Sequence, residues 1–185
     1  MDDKPIIDLY WNRSEEAITQ TDAKYGRYCY HIAYNILTNQ EDAEESVSDT
    51  YRAAWNHIPP TRPNVLSTFL GRITRNLSIS RWRSNGAQRR GGGETALAFD
   101  ELQQCVSGKQ SIESDLIAKE ILQVLNRFLK DLPRENRIVF MRRYWYLEPI
   151  ANIAANCGFS QGKVKTMLCR DRKKLKQMLT KEGYL

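Results

Sequence analysis

Apolar residues recur at helical spacing along almost the whole chain, and no stretch alternates as a half-buried strand would. The pattern predicts a first helix from Ile6 to about Thr19 and a second from about Thr21 to Leu37. The second carries its apolar stripe on Tyr25, Tyr28, Cys29, Ile32, Ala33 and Ile36. In "TNQEDAEES", Asn39 is a candidate cap for a third helix, with Ala43, Val47, Tyr51, Ala54 and Ile58 marking its buried face. Pro59, Pro60 and Pro63 end that helix, because proline lacks the N–H that the backbone ladder needs. A fourth helix, from about Val65 to Arg83, contains "STFLGRITRNLSISRWR".

The next stretch, "SNGAQRRGGGETALAFDELQQCVSGKQS", is rich in glycine and polar residues, with one weak apolar cluster from Leu97 to Leu102. It reads as a flexible linker. Beyond it, Ile112 to Leu129 predicts a helix, "DLPREN" a turn, and Arg134 to Tyr146 another helix. The stretch from Ile150 to Leu175 completes a C-terminal four-helix unit. The expected architecture is all-α: two small helical domains, 1–84 and 112–185, joined by a tether over 85–111.

At 185 residues, 41% of them hydrophobic, the chain is long enough for two such cores. The net charge of +6 favours a polyanionic partner. No stretch approaches the roughly 18 apolar residues of a membrane span, and the acidic start "MDDKPIIDLYW" lacks the order of a signal peptide. A cytoplasmic protein without membrane contact is expected. Cys29, Cys105, Cys157 and Cys169 are scattered, and His31 and His57 add no metal spacing. Neither a phosphate-cradling glycine loop nor a nucleophile elbow nor HExxH is present, so no cofactor and no enzymatic activity are expected.

The stretch "IANIAANCGFSQGKVKTMLCRDRKKL" meets the demands of a helix-turn-helix. Gly158 suits a left-handed turn residue, and Ala154 allows a close helix crossing one turn earlier. Ile150, Ile153, Cys157, Phe159, Val164 and Leu168 supply a buried seam, and Ser160 can cap the second helix. With Val164, Leu168, Leu175 and Leu179 facing the core, the polar face is Gln161, Lys165, Thr166, Cys169 and Lys173. Lys163, Arg170, Arg172, Lys174 and Lys176 extend its charge, with Asp171 as the one acid in that run. Such a helix can offer base-edge contacts from its N-terminal end and phosphate contacts from its flanks. An amphipathic hairpin with a merely solvated basic face is the plainer alternative.

From Ile58 to Gly93 there is no aspartate or glutamate. Arg62, Arg72, Arg75, Arg81, Arg83, Arg89 and Arg90 lie there, interleaved with Phe69, Asn76 and Trp82. Arginine with aromatics and an amide suits single-stranded nucleic acid; Phe69 and Leu77 read better as core. The preceding helix is the opposite. Glu41, Asp42, Glu44, Glu45 and Asp49 carry no basic residue among them, so that face suits a basic protein surface better than DNA. Acids in its first turn also complement the helix dipole.

Together these residues resemble a bacterial RNA polymerase sigma factor of the sigma-70 family, in the short extracytoplasmic-function (ECF) group. "ILTNQEDAEESVSDTYRAAWNHI" is similar to the family's region 2.1–2.3, "FLGRITRNLSISRWR" to region 2.4, and "LPRENRIVFMRRYWYLEPIANIAANCGFSQGKVKTMLCRDRKKL" to region 4. The chain departs from the family pattern at Asn152, Met167 and Cys169. The resemblance implies that Asp42, Glu45, Val47 and Asp49 grip the β′ clamp helices of core polymerase. It implies that Arg72, Arg75 and Asn76, with the loop from His57 to Asn64, read the melted −10 promoter strand; Arg62, Arg81 and Arg83 are added from the acid-free stretch. Ser160, Gln161, Lys163, Lys165, Thr166 and Arg170 match the helix that enters the −35 major groove. Implied partners are core RNA polymerase, through the β′ clamp helices and β flap, promoter DNA, and an anti-sigma factor.

A fully extended tether of about 28 residues reaches ~95 Å at ~3.3–3.6 Å each. That exceeds the roughly 70 Å between promoter elements some 20 base pairs apart at ~3.4 Å per base pair. The rival readings are a stand-alone helix-turn-helix regulator and a helical scaffold that binds no DNA.

Overall fold

A computed structural model of the chain describes residues 3–86, 93–106 and 115–184. Arg89, Arg90 and the expected helix start at Ile112 lie outside the described residues. Within them the chain forms α1 (Lys4–Trp11), α2 (Glu16–Leu37), α3 (Gln40–His57), α4 (Leu66–Gly86), α5 (Glu94–Val106), α6 (Asp115–Asp131), α7 (Arg134–Tyr144), α8 (Ile150–Cys157) and α9 (Gln161–Lys181). They divide into two compact units, Met1–Gly91 and Gly92–Leu185.

In the first unit, the break between the first two helices falls at residues 12–15, not near Thr19 as the sequence pattern suggested. Arg13 adopts a left-handed φ of 53°. Its guanidinium donates to the Trp55 carbonyl at 2.6 Å and sits 5.3 Å from the centre of that indole ring, which pins the turn. Thr19 and Thr21, where the two expected helices met, lie inside α2. Thr21 is buried, and its hydroxyl pairs with that of Tyr10 at 3.0 Å.

The core of this unit gathers Ile6, Ile7 and Tyr10 of α1, Cys29 of α2, Val47, Tyr51 and Ala54 of α3, and Leu66 and Leu70 of α4. Asn39 caps α3 as expected, accepting from the Asp42 amide at 2.9 Å. On α4, Leu66, Leu70, Thr74 and Ser78 are buried at a spacing of four, with Gly71 and Ile79 buried beside them. Phe69, Ile73 and Leu77 are only half-buried. Small polar residues therefore line the α3–α4 seam. Thr50 and Thr74 pair hydroxyl to hydroxyl at 3.0 Å, and each returns a bond to its own helix, at Ser46 and Leu70. Asp3 ties three helices together: it accepts from Lys24 and from the Tyr25 hydroxyl, both at 2.5 Å, and from the Leu66 amide at 3.2 Å.

The second unit centres on Val124, Phe128, Leu132, Val139, Phe140, Leu147, Ile153, Val164, Leu168, Leu175 and Leu179. Phe128 meets Phe140 edge-on, with ring centres 5.1 Å apart. The expected tether is shorter than the sequence implied, because α5 occupies thirteen of its residues and packs on α7 and α9. Ala98 is buried against that unit, and part of the reason is electrostatic. Arg143, only 1% exposed, takes Glu94 at 2.6 Å and Glu101 at 3.5 Å as counter-ions. A buried guanidinium requires paired charge, and α5 supplies it.

Candidate nucleic-acid interface

The helix-turn-helix forms as its residues dictate. Gly158 closes α8 at φ 68°, ψ 32°, the left-handed conformation that glycine adopts without steric cost. The Phe159 amide then donates to the Ala154 carbonyl at 2.9 Å. Ser160 caps α9, accepting from the Lys163 amide at 3.1 Å. Ile153 and Ala154 on one helix, with Val164 and Leu168 on the other, form the dry seam. Ile150, Cys157 and Phe159 are only half-buried at its edge.

Gln161, Lys165, Thr166, Cys169, Arg170 and Lys173 are exposed on α9. Two expected contacts are partly committed within the chain. The Lys163 ammonium sits 3.6 Å from the centre of the Phe159 ring and 4.0 Å from Glu135. The Thr166 hydroxyl donates back to the Gly162 carbonyl at 2.9 Å. Arg172 leaves the basic face altogether. Its guanidinium donates to Glu101 at 3.1 Å and to the Tyr144 hydroxyl at 2.6 Å. Asp171 is buried, with both carboxylate oxygens 3.0 Å from the Asn136 side-chain nitrogen. Burial raises its pKa, against the lowering effects of Asn136 and Lys174.

On α4, Arg72 and Asn76 are exposed one turn apart, and Arg83 is exposed further along. Arg75 is half-buried, and burial, followed by the charge of Arg83, draws its pKa below the ordinary arginine value.

Three residues assigned from sequence have partners or packing within their own unit. Arg81 bonds within the acidic helix: it pairs with Glu45, lies 3.2 Å from Asp49 and 3.6 Å from Asp42. Its hydrogen bond and charge hold the Glu45 carboxyl below its usual range. Val47 is 8% exposed and belongs to the core. Arg62 pairs with Asp8 and lies 5.6 Å from the centre of the Trp11 ring, which ties the loop after α3 to α1. In each case the sequence showed charge or apolarity, and packing decided which side met it. The acidic face itself survives, with Glu41, Glu44 and Glu45 exposed and Asp42 and Asp49 partly so.

Sequence reasoning missed the cluster of Arg143, Glu94, Glu101, Arg172 and Tyr144. One signal was available: an arginine inside the largely apolar run "IVFMRRYWYL" requires a buried counter-ion. Among the described residues no helix is long and apolar enough to cross a membrane.

These features agree with comparisons to known proteins. Residues 23–88 match the family model of Sigma-70 region 2, and residues 122–175 match that of Sigma-70 region 4. The chain is also similar to the ECF RNA polymerase sigma factor SigW of Bacillus subtilis (strain 168), with 26% identity over 153 residues that cover 81% of this chain and 82% of that protein. With region 2 on the unit that pairs an acidic with a basic helix, and region 4 on the unit that carries the helix-turn-helix, the chain belongs to the sigma-70 family, as an RNA polymerase sigma factor of the ECF group.

Proposed function

We propose a division of labour among the surfaces of this sigma factor. The exposed acids of α3, with Asp42, Glu45 and Asp49 at their centre, dock on the basic β′ clamp helices of core polymerase. Arg72, Arg75, Asn76 and Arg83 hold the melted −10 strand, where phosphate neutralisation and base capture repay a few kcal/mol of unstacking. Ser160, Gln161, Lys165, Thr166 and Arg170 read and grip the −35 duplex, while the unit that carries them meets the β flap. An anti-sigma factor silences the protein by covering these faces. Initiation requires no bond-making by this chain: it positions DNA for an enzyme that does the chemistry.

The observation that carries this reading is the geometry of α9. Its N-terminal residues are fixed by the Gly158 turn and the Ser160 cap, and they present an exposed polar row beyond a dry seam. Run-off transcription with purified core polymerase tests it. A promoter-specific transcript that depends on this protein is expected; failure on every cognate template would sink the reading. A stand-alone regulator would instead bind duplex tightly without core enzyme.

A further inference from the structure

Two tryptophan–arginine pairs meet at the C-terminal end of α1, and packing treats them differently. Trp55 of α3 is half-buried. The Tyr10 ring meets it edge-on with centres 6.2 Å apart, and the Arg13 guanidinium lies 5.3 Å from its centre. That pair closes the turn after α1. Trp11 is not enclosed in this way. The Arg62 guanidinium lies over its ring, 5.6 Å from the centre, yet the side chain stays 39% exposed. Arg62 is also paired with Asp8, so the indole is not the sole tie between α1 and the loop after α3. The fold thus keeps its broadest apolar side chain type in contact with water at a place where a carboxylate already makes the tie.

The surroundings suit a single strand of nucleic acid. Arg13 is exposed, and it bonds a carbonyl and covers a ring, neither of which neutralises its charge. Thr61 and Asn64 add exposed polar groups on the loop that leads into α4. Asp8 is engaged with Arg62, and Glu15 and Glu16 begin α2 beyond the turn, where acid complements the helix dipole. An indole braced by a guanidinium takes an unpaired base by stacking, whatever the base, while neighbouring arginines hold phosphates. Arg72 follows the start of α4 by about 9 Å at ~1.5 Å per residue. A strand gripped there and along the loop needs few further nucleotides to reach Trp11. Trp11 and Arg13 precede residues 23–88, the stretch matched by Sigma-70 region 2.

We propose that Trp11 is a stacking platform for one unpaired base of the promoter strand, with Arg62 bracing the indole and Arg13 holding an adjoining phosphate. The inference rests on the −10 reading above and extends that site onto α1.

The test uses the full-length protein with core polymerase and fork DNA from a promoter that it transcribes, duplex at −35 and single-stranded through −10. Trp11→Ala should weaken binding about tenfold, the scale of one lost base stack, and Trp11→Phe should recover part of the loss. Abasic sites are then placed at each single-stranded position in turn. At one position the wild type should lose about as much as Trp11→Ala does, and the variant should lose nothing more. Losses that add at every position, or a Trp11→Ala protein that binds the fork normally, overturn the platform. Weakened binding of Trp11→Ala to core alone, with helicity unchanged, places the indole against protein and overturns it too. If the wild type with core binds no promoter fork, the sigma reading fails instead. Titration of a single-stranded oligonucleotide with the free wild type and Trp11→Ala then decides the platform, and equal affinities overturn it.

Discussion

The guanidinium of Arg81 lies 3.2 Å from the Asp49 carboxylate, so the arginine-rich α4 is bonded to the acidic face of α3. Arg81 also reaches Asp42 and Glu45, and Asn85 donates to Asp42 at 3.2 Å one turn further on. The surface proposed for polymerase and the helix proposed for the −10 strand are therefore one electrostatic unit.

Replacing Asp49 by arginine tests the polymerase face. Asp49→Arg removes the partner of Arg81 and of Arg52, which sits 2.9 Å away. These pairs are partly solvated, so the loss of stability should stay under ~1 kcal/mol. Affinity for core polymerase should fall about tenfold or more, because a rim of complementary charge has been reversed. Competition binding against an unmodified copy, with helicity followed by circular dichroism, separates the two effects. Normal competition for core would mean that the acidic face has another role.

Two arginines two residues apart on α9 should behave differently. Arg170 is exposed, and Arg172 is turned into the Glu101–Tyr144 cluster. Arg170→Ala should weaken duplex binding and reduce the slope of log affinity against log salt by about one. Arg172→Ala should leave that slope unchanged and lower the stability of the second unit by ~1–3 kcal/mol, since it strips a charge from a partly buried carboxylate. Salt titrations and denaturant melts on both variants give the comparison directly.

Asp171 should make the second unit less stable as pH rises through the acid range. Burial raises its folded pKa, so between the unfolded and folded values the native state holds more protons than the unfolded chain. Stability then falls with rising pH across that window and levels off above it. Asp171→Asn should remove this dependence and raise the melting temperature at neutral pH, because the amide oxygen can still accept from Asn136. Melts from pH 3 to 7 on both proteins check the sign.

Gly71 is required by a phenol. A Cβ built there would clash with the Tyr28 hydroxyl and lie 3.1 Å from its ring carbon Cζ. Gly71→Ala should cost ~1–3 kcal/mol through overpacking, against the ~1 kcal/mol that alanine gains in a helix interior. In a Tyr28→Phe background part of that cost should vanish, because the closest atom is gone. A double-mutant cycle by urea melts measures the coupling.

Where sequence reading worked, the signal was local. The Asn39 cap, the prolines after α3, the Gly158 turn and the α9 stripe of Val164, Leu168, Leu175 and Leu179 each follow from nearest neighbours on one helix. The errors were long-range. The boundary expected between Thr19 and Thr21 falls inside α2, where Thr21 is bonded to Tyr10 in the core. The α5 segment resembled a linker because its apolar content is thin. It is ordered by Arg143, which follows α5 by some forty residues.

By itself, the sequence determined the all-α class, the helix-turn-helix and the separation of acidic from basic helices, since periodicity, capping and charge runs are properties of single segments. Only the tertiary structure decided which charges meet an opposite charge within the chain. Arg81, Arg62 and Arg172 look alike in sequence to Arg72, Arg83 and Arg170, but each of the first three meets a carboxylate from a different helix. What packing brings within about 4 Å of a charge sets how it is held, and no window along the chain contains that distance.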